Sequence, residues 1–308
     1  MARRVTEPVG AAAAETVLRL AVLLQTGMAP AQAWRHLAEA GDAAAGRVVT
    51  ATAGGTALAD AVREAAPPPS PGRRRRSAPA PEGWTDVAAA WQVATTVGAP
   101  LAESLRAIAT ALRDAQEADD DVRVALAEPA GTARLMSWLP LVAVGLGALL
   151  GFDTLAALVG SPAGLACLAA GVVLIVVAQR WSAALVRRAA GAPGIPGMAA
   201  ELFAIAMGGG VSLERAASIV RAATGAAADG PTEAVLALSR SAGVPAVELL
   251  RASAALARHR ARIDGRLRAA RLSSRLLLPL GVCTLPAFLL LGVAPMMLGI
   301  MSTVPLSL

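Results

Sequence analysis

Arg258, Arg262 and Arg266 recur every four residues, a spacing that puts three guanidiniums on one face of a helix. Arg268, Arg271 and Arg275 continue the basic run up to a long apolar stretch. A row of fixed guanidiniums is chemistry for anions, either lipid phosphates at a membrane surface or the carboxylates of an acidic partner. Glu117, Asp119, Asp120 and Asp121 form the acidic counterpart. Calcium would need oxygens wrapped around a loop with a sharp glycine turn, which this run does not offer. It reads instead as a solvated helix face or a dock for basic residues. His36 and His259 are the only histidines, far apart and without Cys, His or paired carboxylates at ligand spacing, so no metal site is expected. Cys167 and Cys283 fall inside apolar stretches, where a thiol packs as a small apolar group. The chain has no lysine, so it cannot supply a Walker-type phosphate-binding lysine. With no nucleophile–base pair either, the expectation is a protein without catalytic residues or cofactor.

The elements that must position these charges are set by three charge-free apolar stretches, Leu135 to Phe152, Thr154 to Gln179 and Leu276 to Leu308. A helix crosses a bilayer core with about 20 apolar residues, so each can span once. Composition agrees: 56% of residues are hydrophobic and 16% charged. Arg134 precedes the first stretch, Arg180, Arg187 and Arg188 follow the second, and Arg268, Arg271 and Arg275 precede the third. The connection from Asp153 to Ser161 carries no arginine. Positive residues stay inside, so the N-terminus and both polar segments are expected in the cytoplasm, with the hairpin turn and C-terminus outside. Glu15 and Arg19 interrupt the apolar run near the N-terminus, so no cleavable signal is expected. The net charge of +6 then reads as orientation and lipid contact. Without stacking aromatics beside the arginines, nucleic acid is not an expected partner.

The two polar segments resemble each other. Val17, Leu20, Leu23 and Leu24 lead to Gly27-Met28-Ala29-Pro30, as Leu202, Phe203, Ala206 and Met207 lead to Gly210-Val211-Ser212-Leu213. Further on, Gly98-Ala99-Pro100 with Glu103 matches Gly243-Val244-Pro245 with Glu248. In each unit glycine ends one helix and proline sits in the first turn of the next, where no amide donor is needed. Striped apolar spacing and the lack of alternation predict two small helical bundles. The first segment also holds Pro67-Pro68-Pro69-Ser70-Pro71-Gly72 and four arginines, Arg73 to Arg76. That composition buries no core and predicts a disordered insertion over 67–83.

This order of helical segment, hairpin, helical segment and anchor resembles the type II secretion system F-domain family. That family includes GspF/PilC-like platform proteins and the TadB/TadC-like proteins of Flp pilus assembly. The likeness rests on the two glycine turns, the two Gly-x-Pro-x-x-Glu units at 98–103 and 243–248, and the membrane layout. Secretion-type members often carry a Glu just before the second glycine. Here Thr95-Thr96-Val97 and Arg240-Ser241-Ala242 stand instead, so no role attached to that Glu carries over.

The resemblance implies an all-α polytopic protein with two duplicated cytoplasmic bundles and three transmembrane helices. Its parts would be a first F-type domain over 1–134, a hairpin over 135–180, a second domain over 181–275 and an anchor over 276–302. It implies a non-enzymatic inner-membrane platform that couples a cytoplasmic hexameric secretion ATPase to pilin-like subunits. Anionic lipids, a second F-domain protein and self-association complete the expected partners. The competing class is a transporter or channel subunit. The spans carry no ionisable residue of the kind that marks an ion path.

Overall fold

A computed structural model describes residues 9–66, 82–149, 160–189, 194–294 and 297. Among them there is no strand. The helices are α1 (Val9–Gln25), α2 (Pro30–Glu39), α3 (Ala43–Ala53), α4 (Leu58–Arg63), α5 (Glu82–Val97) and α6 (Leu101–Leu149). They continue as α7 (Pro162–Ala189), α8 (Met198–Gly208), α9 (Leu213–Thr224), α10 (Gly230–Ala242), α11 (Ala246–Pro279) and the short α12 (Leu285–Phe288).

Local chemistry sets the boundaries. Gly27, Gly98, Gly210 and Gly243 all adopt left-handed backbone, with φ of 85°, 71°, 77° and 67°. A side chain at such a position would crowd the following carbonyl, so the paired turns read in the sequence each use the one residue that reverses the chain at low cost. Asp42 caps α3 by accepting from the amides of Ala44 and Ala45, while its other oxygen accepts from the Thr16 hydroxyl at 2.5 Å. That carboxylate both starts α3 and ties it to α1.

The chain divides into two compact units. The first takes 1–119 and 192–263, so it draws on both polar segments. Its core is continuous across them: Trp34, Trp84, Val87, Leu105 and Ile108 from the first segment belong to one apolar cluster with Leu202, Phe203 and Leu250 from the second. Helix α5 is the hinge of this arrangement, packing against α1 and α4 on one hand and against α8 and α9 on the other. The physical reason is composition. Helix α8 is apolar almost all round and buries eight of its residues, which a bundle made from the second segment alone cannot cover. Close backbone approaches lock it in place. A Cβ on Gly209 would lie 2.5 Å from Val97 Cγ2, and one on Gly197 would lie 2.7 Å from the Ala254 carbonyl oxygen. The Trp34 and Trp91 rings meet at 6.3 Å in a tilted arrangement that fills the centre of the first segment.

Helix α5 begins at Glu82, so Glu82 and Gly83, expected at the end of the insertion, are helical. The cause is packing. Trp84 is 1% exposed, and Gly83 is close enough that a Cβ there would sit 3.0 Å from Leu112 Cδ2. Residues 67–81 of that insertion lie outside the described residues.

The second unit takes 120–191 and 264–308. Two helical stretches are long and apolar enough to cross a membrane, Pro162–Val186 and a window within Ala246–Val293. The apolar stretch starting at Leu135 is helical as far as Leu149, and the turn expected after it, like the chain end beyond 297, lies outside the described residues. Helix α7 packs against α12 and the two π-helical segments flanking it, Leu280–Thr284 and Leu289–Val293. These segments follow Pro279 and Pro286. Each proline removes one backbone donor, and the wider turn beside it absorbs the misfit without breaking the helix. Gly171 gives Leu291 its seat, since a Cβ there would fall 2.5 Å from Leu291 Cγ.

Candidate interaction site

The arginine stripe meets the acidic stretch of α6. In the first unit, Arg251 donates to Glu103 at 2.9 Å, Arg258 to Asp114 at 3.0 Å, and Arg262 to Glu117 at 3.0 Å. Partner numbers rise together, so α6 and α11 run parallel along this stretch. In the second unit Arg266 forks onto Asp121 at 2.8 and 3.1 Å. Helical periodicity on both sides explains the match: Asp114, Glu117 and Asp121 are spaced three and four apart, as their partners are spaced four apart.

Burial ranks these pairs. The Arg266 and Asp121 side chains are 62% and 35% exposed, so their pair contributes about 0–1 kcal/mol. Arg258 differs, being only 11% exposed, and it also reaches Glu201 Oε2 at 3.4 Å, whose side chain is 5% exposed. Two carboxylates therefore share one nearly enclosed guanidinium, and removing that guanidinium leaves a buried negative charge unanswered. Of the other basic residues singled out by the sequence, Arg268 donates to the Asp264 carbonyl at 3.2 Å within its own helix, and Arg271 and Arg275 are exposed.

Sequence reasoning missed Glu201 and Asp114, and read Glu103 as part of a turn unit without its pairing to Arg251. Glu201 had a signal, as the one charge in the apolar run Met198–Gly208. A lone carboxylate in an otherwise buried helix needs a cation.

Beside this network lies a cavity of about 240 Å³ between the N-terminal turns of α6 and α11 and one face of α8. Glu201, Glu103 and Arg251 supply its charges; Ala107, Ala204 and Gly208 are among the small residues that keep it open. A second, shallow hollow of about 520 Å³ lies against α3, near Arg47. The Arg47 guanidinium donates to the Ala65 carbonyl at 2.8 and 2.5 Å, closing the end of α4. His36 Nδ1 lies 3.1 Å from Glu39 on the surface, and Cys167 and Cys283 are free thiols. Among the described residues no three His, Cys, Asp or Glu side chains are grouped so as to hold a metal ion.

Comparison with known families matches residues 17–148 to the type II secretion system (T2SS), protein F, family. The matched span takes in the second half of α1, α2 to α5 and all of α6 except Leu149, including Asp114, Glu117 and Asp121. No curated protein and no solved structure matches the chain.

Proposed function

We propose, from the premise that residues 17–148 are a type II secretion system protein F domain, that this chain is a non-enzymatic assembly platform of the inner membrane. It would couple a cytoplasmic hexameric secretion ATPase to the assembly of pilin-like subunits, as in type II secretion or Flp pilus systems. The observation that carries the reading is the pairing of this domain with two membrane-length helical stretches in one chain. The four left-handed glycines support reading α8 to α11 as a second copy of the F-type arrangement. Three spans, a cytoplasmic N-terminus and an outward C-terminus follow from the arginine asymmetry.

Arg258 and Arg262 are engaged by carboxylates of their own chain, so the lipid-facing role falls to Arg268, Arg271 and Arg275. Each basic residue near an anionic surface contributes about 1 kcal/mol. Motion delivered to α11 would pass to α6 through the paired charges, because parallel helices joined at several points along their length resist sliding.

The test is co-purification. The detergent-solubilised full chain should retain the hexameric secretion ATPase of its own cell, identified by mass spectrometry, and cells lacking the chain should lose surface pili or secretion. Recovery of a solute flux instead, in proteoliposomes holding this chain alone, would move it to the transporter class. A topological prediction accompanies it. A reporter enzyme fused after Leu308 should be active outside the membrane, and one inserted at Arg74 should be active in the cytoplasm. A cytoplasmic C-terminus would replace the single final span by a hairpin.

A further inference from the structure

The cavity beside Glu201 has the makings of a receptor for a cation. The Glu201 side chain is 5% exposed, and its Oε2 meets Arg258 at the long distance of 3.4 Å. Its Oε1 has no donor among the described residues. Nor is that oxygen sealed in: Trp34 Nε1 is the enclosed side-chain polar atom that lacks a partner among the described residues. Glu201 lines the cavity, and Oε1 is the acceptor it has left to offer a donor there. An enclosed carboxylate with a vacant acceptor position is costly unless a donor answers it.

The rest of the lining says which donor. Glu103 and Glu201 line the cavity with one guanidinium, Arg251, which is itself held by Glu103 at 2.9 Å and Glu248 at 3.7 Å. Arg258 behind Glu201 is shared with Asp114, so four carboxylates stand against two guanidiniums. The excess charge is negative, in a chain whose net charge is positive. Ile205 and Val247 provide an apolar wall, and Ala107, Ala204 and Gly208 leave room along it. At about 240 Å³ the space is below the range of drug-sized pockets. It suits one long side chain whose stem is apolar and whose end is a planar fork of donors.

We propose that this cavity is a socket for an arginine side chain of a partner polypeptide, with Glu201 Oε1 at its base and Glu103 at its mouth. The socket is independent of the platform reading, since its chemistry would be the same whatever assembly the partner belongs to.

The probe is N-acetyl-arginine amide, titrated calorimetrically into the full chain in detergent micelles, with N-acetyl-citrulline amide as the neutral isostere. The arginine amide should bind in the millimolar range and the citrulline amide at least tenfold more weakly. Glu201→Gln should weaken the arginine amide at least tenfold, and Glu103→Gln by a smaller factor. Ala107→Leu, which fills the space while leaving both carboxylates in place, should abolish binding without shifting the thermal unfolding curve by more than a few degrees. This second variant decides the matter if Glu201→Gln does not fold. Equal binding of the two amides, unchanged binding in Ala107→Leu, or saturation by calcium with no binding of the arginine amide would overturn the socket.

Discussion

Arg258→Gln is expected to lower the unfolding free energy by about 3–5 kcal/mol, the largest effect of any single charge removal among the described residues. The substitution strands Glu201, 5% exposed, and takes from Asp114 its partner at 3.0 Å. Chemical denaturation of the detergent-solubilised chain measures it. Glu201→Gln should cost much less, because Arg258 keeps Asp114 and a neutral amide can still accept from it. Arg266→Gln should change stability by under about 1 kcal/mol, since its pair is open to solvent. Replacing Arg258 by Met together with Glu201 by Leu should recover most of the loss, because apolar groups of similar volume need no counter-charge. A loss for Arg258→Gln no greater than that for Arg266→Gln would show that burial does not set the order. Raising the salt concentration should leave the Arg258 effect nearly intact, because an enclosed pair is poorly screened.

Gly197→Ala is expected to be similarly disruptive, for a reason that involves no charge. Gly197 has φ of 78°, and a Cβ there would lie 2.7 Å from the Ala254 carbonyl oxygen and 2.8 Å from Ala254 Cα. Those are backbone atoms of α11, which cannot turn aside as a side-chain tip can. The left-handed conformation costs about 1–2 kcal/mol for alanine, and forced separation of α8 from α11 adds about 1–3 kcal/mol. Gly210→Ala is the matched control. Its φ is 77° but nothing lies within 4 Å of the added Cβ, so only the conformational part should appear. Equal melting shifts for the two variants would refute the role of close approach.

Much of this arrangement was legible in the sequence. The helix-ending glycines were readable because left-handed backbone selects glycine by a local rule, and the apolar stretches because membrane length is a simple count. The meeting of α6 with α11 was less so. The acidic stretch at 117–121 and the arginines at 258–266 were each visible as a helix face, but periodicity gives the face and not its partner. Lipid, a foreign protein and the chain itself offer the same anionic chemistry to a guanidinium. The spacing of Asp114, Glu117 and Asp121 held the missing hint, as it complements the arginine spacing. Glu201 was overlooked because an apolar neighbourhood conceals the energetic weight of one carboxylate. The start of α5 at Glu82 escaped the composition argument, since its cause is the burial of Trp84 in a tertiary core.

The core shared by the two polar segments bears on how the chain is made. Ribosomes deliver it from the N-terminus, so α5 emerges well before α8 and α9, the helices that cover it. About a hundred residues separate the end of the first segment from the end of α9, and at roughly 5–20 residues per second that interval lasts on the order of ten seconds. Throughout it half of a core waits uncovered while the apolar stretch now forming α7 is made. Closure of the core is thereby tied to the synthesis of α8 and α9. The first unit is completed only once the chain has passed through that apolar stretch and delivered the unit's second half.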